Sequence, residues 1–174
     1  MMKGAYSDVV EAVGNTPIVR LNRLTEGLEA NIYVKLEYLN PGGSVKDRPA
    51  IQIIRDAEEA GTLRPGGTIV EATSGNTGMG LAMVAAIRGY KTVCVMPDKM
   101  SEEKMAALRA LGAKVVVCPT NVEPDDPRSY YRVARKLADE APGGILANQY
   151  HNPANPRRTS SPRARRSGSR PTVR

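Results

Sequence analysis

Between residues 68 and 148, short β-branched runs alternate with longer Ala-, Leu- and Met-rich stretches, and no other feature narrows the fold as far. Strands are predicted at 68–72, 92–96, 115–118 and 145–148. Helices are predicted at 76–88, 102–111 and 128–140, the first two closed by Gly89 and Gly112. Strands separated by helices of this length pair in parallel, because the chain must cross back over the sheet between them. The expected class is therefore α/β, a three-layer parallel sheet with helices on both faces. Ligands of such sheets sit at the carboxyl ends of the strands. With no Phe and no Trp in 174 residues, Ile, Val, Leu, Met and Ala must fill the core.

The segment before this region reads differently. Residues 1–15 suggest a short helix and loop with Val9, Val10 and Val13 on one face, and 17–21 and 31–38 suggest strands. Asn40-Pro41-Gly42-Gly43 is a turn, after which a helix should begin near Ser44. Ser44 would cap it, Asp47 would complete a capping box, and Pro49 is tolerated in a first turn. Ala50, Ile51, Ile54 and Ala57 form its apolar stripe, and Gly61 ends it.

The formal charge is +7, but residues 157–174 hold seven Arg and no acid, which leaves 18 of each sign elsewhere. That tail has no periodicity and almost no apolar residue, a composition that predicts disorder. No aromatic residue or base-reading motif accompanies its arginines, so nucleic acid is set aside as the partner. No apolar run approaches a membrane span, and the first residues carry no apolar export signal, so a cytoplasmic location is expected. Cys94 and Cys118 lack metal or redox spacing and read as buried, reduced thiols. No metal site is expected.

Three places carry candidate chemistry. Ser44-Val45-Lys46-Asp47-Arg48 sets a lysine at the mouth of a helix, where its amine can form a Schiff base with a carbonyl cofactor. The residues alone also admit a surface lysine paired with Asp47. Thr73-Ser74-Gly75-Asn76-Thr77-Gly78 joins a strand directly to a helix. Its glycines allow close backbone approach, and its N–H groups suit a carboxylate. An ordinary capped turn is the plainer alternative. Gln149-Tyr150 follows a strand end and faces the same edge of the sheet, or is simply polar surface. A lysine amine beside an anion loop is what an amino-acid enzyme using pyridoxal phosphate requires. His151 is the only histidine and supports no triad or metal cluster.

The ordered series Gly14-Asn15-Thr16-Pro17, Lys35-Leu36-Glu37, 40–48, 73–78 and Asn152-Pro153-Ala154-Asn155-Pro156 closely resembles the cysteine synthase/cystathionine β-synthase family of pyridoxal-phosphate enzymes. The resemblance covers residues 5–156. Asn40-Pro41-Gly42-Gly43, 96–104 and 126–130 lean toward cystathionine β-synthase. The resemblance implies a tryptophan-synthase-β-like fold and a homodimer. It implies Lys46 as the catalytic and cofactor-holding lysine and Asn76 as a partner of the cofactor ring oxygen. It further implies Thr73, Ser74, Thr77 and Gln149 on the substrate carboxylate, with Tyr150 on the second-substrate side. The implied reaction is β-replacement on serine or an activated serine with a thiol, giving cystathionine when the thiol is homocysteine. Cysteine synthase, with O-acetylserine and sulfide, and a non-catalytic fragment with a basic tail remain the alternatives.

Members of that family run to about twice this length. The resemblance therefore implies a truncated, impaired enzyme with an incomplete second domain, lacking the second glycine-rich loop for the cofactor phosphate. Residues 1–43 would belong to the larger, mostly missing domain, 44–150 would form the small α/β domain, and 157–174 would be a disordered basic tail. For Arg157 to Val173 a codon choice exists whose shifted frame gives nearly the family continuation, so a frameshift near Pro156 is the expected origin of the tail.

Overall fold

The computed structural model describes residues 4–73 and 75–155. Ser74 and the tail at 156–174 lie outside the described residues, and the expectations placed on them are not addressed below. The strands are β1 (Ile18–Arg20), β2 (Tyr33–Lys35), β3 (Thr68–Ala72), β4 (Lys91–Pro97), β5 (Lys114–Cys118) and β6 (Gly144–Leu146). The helices are α1 (Asp47–Glu59), α2 (Asn76–Arg88), α3 (Glu102–Ala110) and α4 (Tyr130–Glu140).

β1 and β2 pair antiparallel, with Ile18 opposite Lys35 and Arg20 opposite Tyr33. The other four strands form one parallel sheet in the order β5-β4-β3-β6. The chain runs outward from β3 to β4 to β5, then returns through α4 to place β6 on the other side of β3. The strand order thus reverses between β3 and β6. Such a reversal opens a crevice at the carboxyl ends, where α/β sheets bind their ligands.

The side chains alternate across the sheet as the two-residue period requires. Val70, Ala72, Val95 and Cys118 pack with Ala134 and Ala138 of α4. Ile69 packs instead with Leu81 and Val84 of α2, and Cys94 and Met96 pack with Ala82, Met105 and Leu108. Helices therefore cover both faces, and α1 stacks outside α2. Gly80 permits that stacking, since a Cβ there would stand 3.0 Å from Ala50 Cβ and 3.2 Å from Lys46 O. Both cysteines are free and buried.

The start of α1 is tied to the first forty residues by a buried ion pair. Arg48 donates from Nε to Glu37 at 2.9 Å and from its terminal nitrogen to Glu37 at 3.2 Å and Thr16 Oγ1 at 3.2 Å. Asn40 extends the network, donating to Glu37 at 2.9 Å and accepting from Gly14 N–H at 2.9 Å. Burial pushes the Glu37 carboxyl up, but its bonds to Arg48, Asn40 and Thr16 win and hold it below its ordinary value. Residues with no evident chemistry in the sequence thus anchor the first turn of α1, next to Lys46.

Several local expectations are corrected. The segment before β1 forms turns, not a helix: Asp8 Oδ1 accepts from Val10 and Glu11 N–H, and Gly14 and Asn15, both at positive φ, end the segment. Val10 and Val13 are buried, but Val9 is 41% exposed. β1 and β2 are shorter than predicted, and β2 stops where the chain turns into a 3-10 helix at Glu37–Leu39. The capping box does not form. Ser44 Oγ accepts from Lys46 N–H at 3.1 Å, while Asp47 turns back to accept from Gly42 N–H at 2.6 Å. Ile53 joins the buried stripe of α1.

Candidate active site

Lys46 is the residue before the first turn of α1, half-buried at the carboxyl edge of the sheet. Asp47 does not pair with it. Its carboxylate is buried and bonded to Gly42, and burial raises it above the ordinary carboxylate value despite that bond. The Lys46 amine makes no hydrogen bond or ion pair with any described residue. The surface-pair alternative for Lys46 is therefore removed.

The loop after β3 is organised by Thr73. Its hydroxyl oxygen accepts from Gly75 N–H at 3.2 Å and Gly78 N–H at 3.3 Å, while its own N–H continues the sheet to Val95 O at 3.0 Å. Gly75 sits at φ +156° and ψ −99°, a conformation closed to residues with a Cβ. The N–H groups of Asn76 and Thr77 open α2 and have no acceptor among the described residues. Two donors with no described acceptor, at the positive end of a helix, suit an anion.

Gln149 arrives from the far side of the strand reversal. Its side-chain oxygen is buried and has no partner among the described residues. Asn152 and Asn155 hold its loop by donating to Ala147 O at 3.0 Å and Gln149 O at 3.2 Å. A cleft of about 270 Å³ is lined by Lys46, Thr73, Asn76, Thr77, Gln149 and Tyr150. Six of the seven candidates are thus brought to one place from α1, α2 and the loops after β3 and β6. The seventh, Ser74, lies outside the described residues. Tyr150 stands at the rim, 62% exposed.

Two lining residues escaped the sequence reading. Lys104 of α3 lines the cleft, its Cδ 4.0 Å from where a Gly75 Cβ would be. Glu71 of β3 is 2% exposed. Burial pushes its carboxyl up to about 7, against the opposing pull of the Gln149 and Asn148 N–H groups. The signal was present: an acid inside the run Ile69-Val70-Glu71-Ala72, where every neighbour is apolar. Burial also pushes the Cys94 thiol up to about 12, with Glu71 adding to it, so this cysteine is chemically inert.

A second cavity, of about 350 Å³, adjoins the first across the end of β3 and shares Glu71, Ala72 and Tyr150 with it. Arg132 and Arg135, one helical turn apart on α4, line it and make no side-chain bond to any described residue. His151 lines the same cavity. Among the described residues no group of His, Cys, Asp or Glu could hold a metal ion, and no helix is long and apolar enough to cross a membrane.

A family profile described as pyridoxal-phosphate dependent enzyme matches residues 9–161. The chain belongs to that family. It is 53% identical over 151 residues to a cystathionine β-synthase of Apis mellifera and 52% over 151 residues to one of Rattus norvegicus. Each alignment takes in 86% of this chain and 30% or 27% of the relative. A cysteine synthase of Emericella nidulans is 48% identical over 155 residues, with 42% of its length covered. Among solved structures, O-ureido-L-serine synthase superposes with a TM-score of 0.83 at 44% identity, covering 95% of this chain and 52% of that one. A hydrogen sulfide-producing enzyme from Fusobacterium nucleatum gives 0.83 at 35% identity. The fold is thus that of the pyridoxal-phosphate enzymes, and the chain spans about half the length of these solved structures.

The side chains at the cleft fit the family's cofactor. An amine, two N–H groups at a helix start and a buried Gln149 oxygen, none of them partnered among the described residues, stand with the Asn76 amide as the donor and acceptor types that an aldehyde, a ring hydroxyl and an amino-acid carboxylate need.

Proposed function

We propose that this chain carries the lysine and carboxylate half of a pyridoxal-phosphate site for β-replacement on serine or an activated serine, with homocysteine as the thiol. The observation that carries the reading is that the Lys46 amine and the N–H groups of Asn76 and Thr77, none of them bonded to a described residue, meet at one cleft. Pyridoxal phosphate, when bound, supplies an electron sink for bonds broken at the substrate's Cα and Cβ. Lys46 would hold it through Nζ and afterwards move the proton of the substrate's Cα. Asn76 would donate to the ring oxygen. Thr77, Gln149, Ser74 and the two free N–H groups would grip the substrate carboxylate. Thr73, whose oxygen is already committed to Gly75 and Gly78, would shape the seat and has only its hydroxyl proton to offer the substrate. Residues 44–150 are the unit we assign to this chemistry.

The choice of thiol is supported by the adjoining cavity. Its two unbonded guanidinium groups suit a thiol that bears a carboxylate. A sulfide ion needs neither that volume nor two cations. The cystathionine β-synthases among the relatives favour the same thiol. The cysteine synthase at 48% identity keeps sulfide as the second reading.

The test is product analysis on the cofactor-loaded chain. L-serine with L-homocysteine should yield cystathionine. Cysteine from O-acetyl-L-serine and sulfide, without cystathionine from the first pair, would transfer the assignment to the second reading. Neither product from a chain that holds its cofactor would refute both.

A further inference from the structure

We propose that Glu71 is a positioning residue, a buried clasp that ties the end of β3 to the loop after β6 and so sets Gln149 against the substrate carboxylate. The proposal rests on the reading of Gln149 given above.

β6 ends at Leu146, and the sheet ladder closes with Ala147 N–H to Val70 O at 2.9 Å. The chain then leaves the sheet through Asn148, which takes φ +48°, a left-handed conformation that non-glycine residues adopt at a cost. The next amide, of Gln149, has no strand to donate to. Glu71 Oε1 receives it at 3.3 Å, from seventy-eight residues away in the chain. Glu71 Oε2 stays buried and unpartnered among the described residues, as does the Gln149 side-chain oxygen. A buried acid beside a strained peptide, at the strand reversal, is an expensive arrangement for a purely apolar core position. A glutamine or an apolar residue would fill the same volume without the cost of ionisation. What the carboxyl adds is an acceptor that holds a substrate-facing loop and an acid that can change charge there.

The charged and titratable groups around Glu71 come from every neighbouring element: Lys46 just before α1, Cys94 on β4, Lys104 on α3, Arg132 and Arg135 on α4, and Tyr150 and His151 in the loop after β6. The cation-bearing ones lie across cavities. Among the described residues only the Gln149 and Asn148 amides bond the carboxyl, so these amides report its state.

The experiment follows the backbone amides of Asn148 and Gln149 by nitrogen-proton correlation NMR in the full chain without cofactor, from pH 5 to pH 9. Both should shift together with a midpoint of about 7. Glu71→Gln should abolish that titration while the rest of the spectrum overlays, and His151→Gln should leave the midpoint in place. A midpoint in the ordinary carboxylate range, or a titration that survives Glu71→Gln, overturns the proposal. A second arm measures L-serine binding to the cofactor-loaded chain. Glu71→Ala should weaken it at least about tenfold, the scale of a lost charge-assisted bond. Glu71→Gln, whose amide oxygen accepts the same N–H, should restore it to within about threefold. Equal loss in both variants overturns the clasp. If the loaded wild-type chain takes no serine, the catalytic reading fails and the amide titration alone decides the clasp.

Discussion

A carboxyl group that is 2% exposed and is met by the Gln149 and Asn148 N–H groups is still costly to ionise, and Glu71 makes stability depend on pH in a defined sense. Its value rises from 4.5 in the unfolded chain to about 7 in the fold. The folded state therefore binds more protons between those two values, so its stability falls as pH rises from about 4.5 to about 7 and is flat above. The loss is on the order of 3 kcal/mol. Urea unfolding across that range should show the slope, and Glu71→Gln should remove it. A wild-type slope of the opposite sign would contradict the assigned burial. The identity of the cleft residues was legible because each is a polar group with a chemical reason to be there: Lys46, Asn76, Thr77 and Gln149 all reach it. Glu71 was not legible by that route, because its role lies in a long-range bond that no local spacing announces.

At the scale of elements, the position of Lys46 is set by what holds the first turn of α1. Arg48 and Glu37 form a pair with side chains 3% and 14% exposed. Removing Arg48 leaves the part-buried Glu37 carboxylate without its cation, so Arg48→Ala should cost about 1–3 kcal/mol in chemical unfolding. Gly80→Ala acts from the other side. Its Cβ would press on Ala50 and the Lys46 carbonyl, so we expect a loss of about 1–3 kcal/mol and weaker cofactor binding. An unchanged variant would mean that α1 is free to give way. On α4, Arg132→Ala with Arg135→Ala should raise the KM for homocysteine about tenfold and leave that for serine unchanged. Equal effects on both substrates would remove the arginines from thiol selection. The alternating elements from β3 to β6 were legible because β-branched runs and glycine stops agree with the tertiary packing. The segment before β1 was not, since three valines at helical spacing meet an Asp8 turn and two positive-φ residues that cut the helix short. The capping box failed because Asp47 found a nearer donor in Gly42.

At the scale of the whole molecule, topology brings the pieces together. Lys46 precedes α1, the anion seat follows β3, and Gln149 follows β6, over a hundred residues after Lys46 in the chain. They meet because the strand order reverses between β3 and β6. A parallel sheet with its helices on both faces was foreseeable from the alternation alone. The neighbour that β6 would choose was not, because strand order depends on which faces bury best and not on any local pattern. Central to the proposed function is Lys46 as the covalent anchor of a half-site that assembles within this chain. The direct measurement is titration of the purified chain with pyridoxal phosphate, followed by visible absorption and borohydride reduction, beside Lys46→Ala. The account predicts a saturable band in the wild-type chain that reduction fixes on the peptide containing Lys46, and no such band in the variant. A folded wild-type chain that shows no band, or a variant that keeps it, would contradict the account.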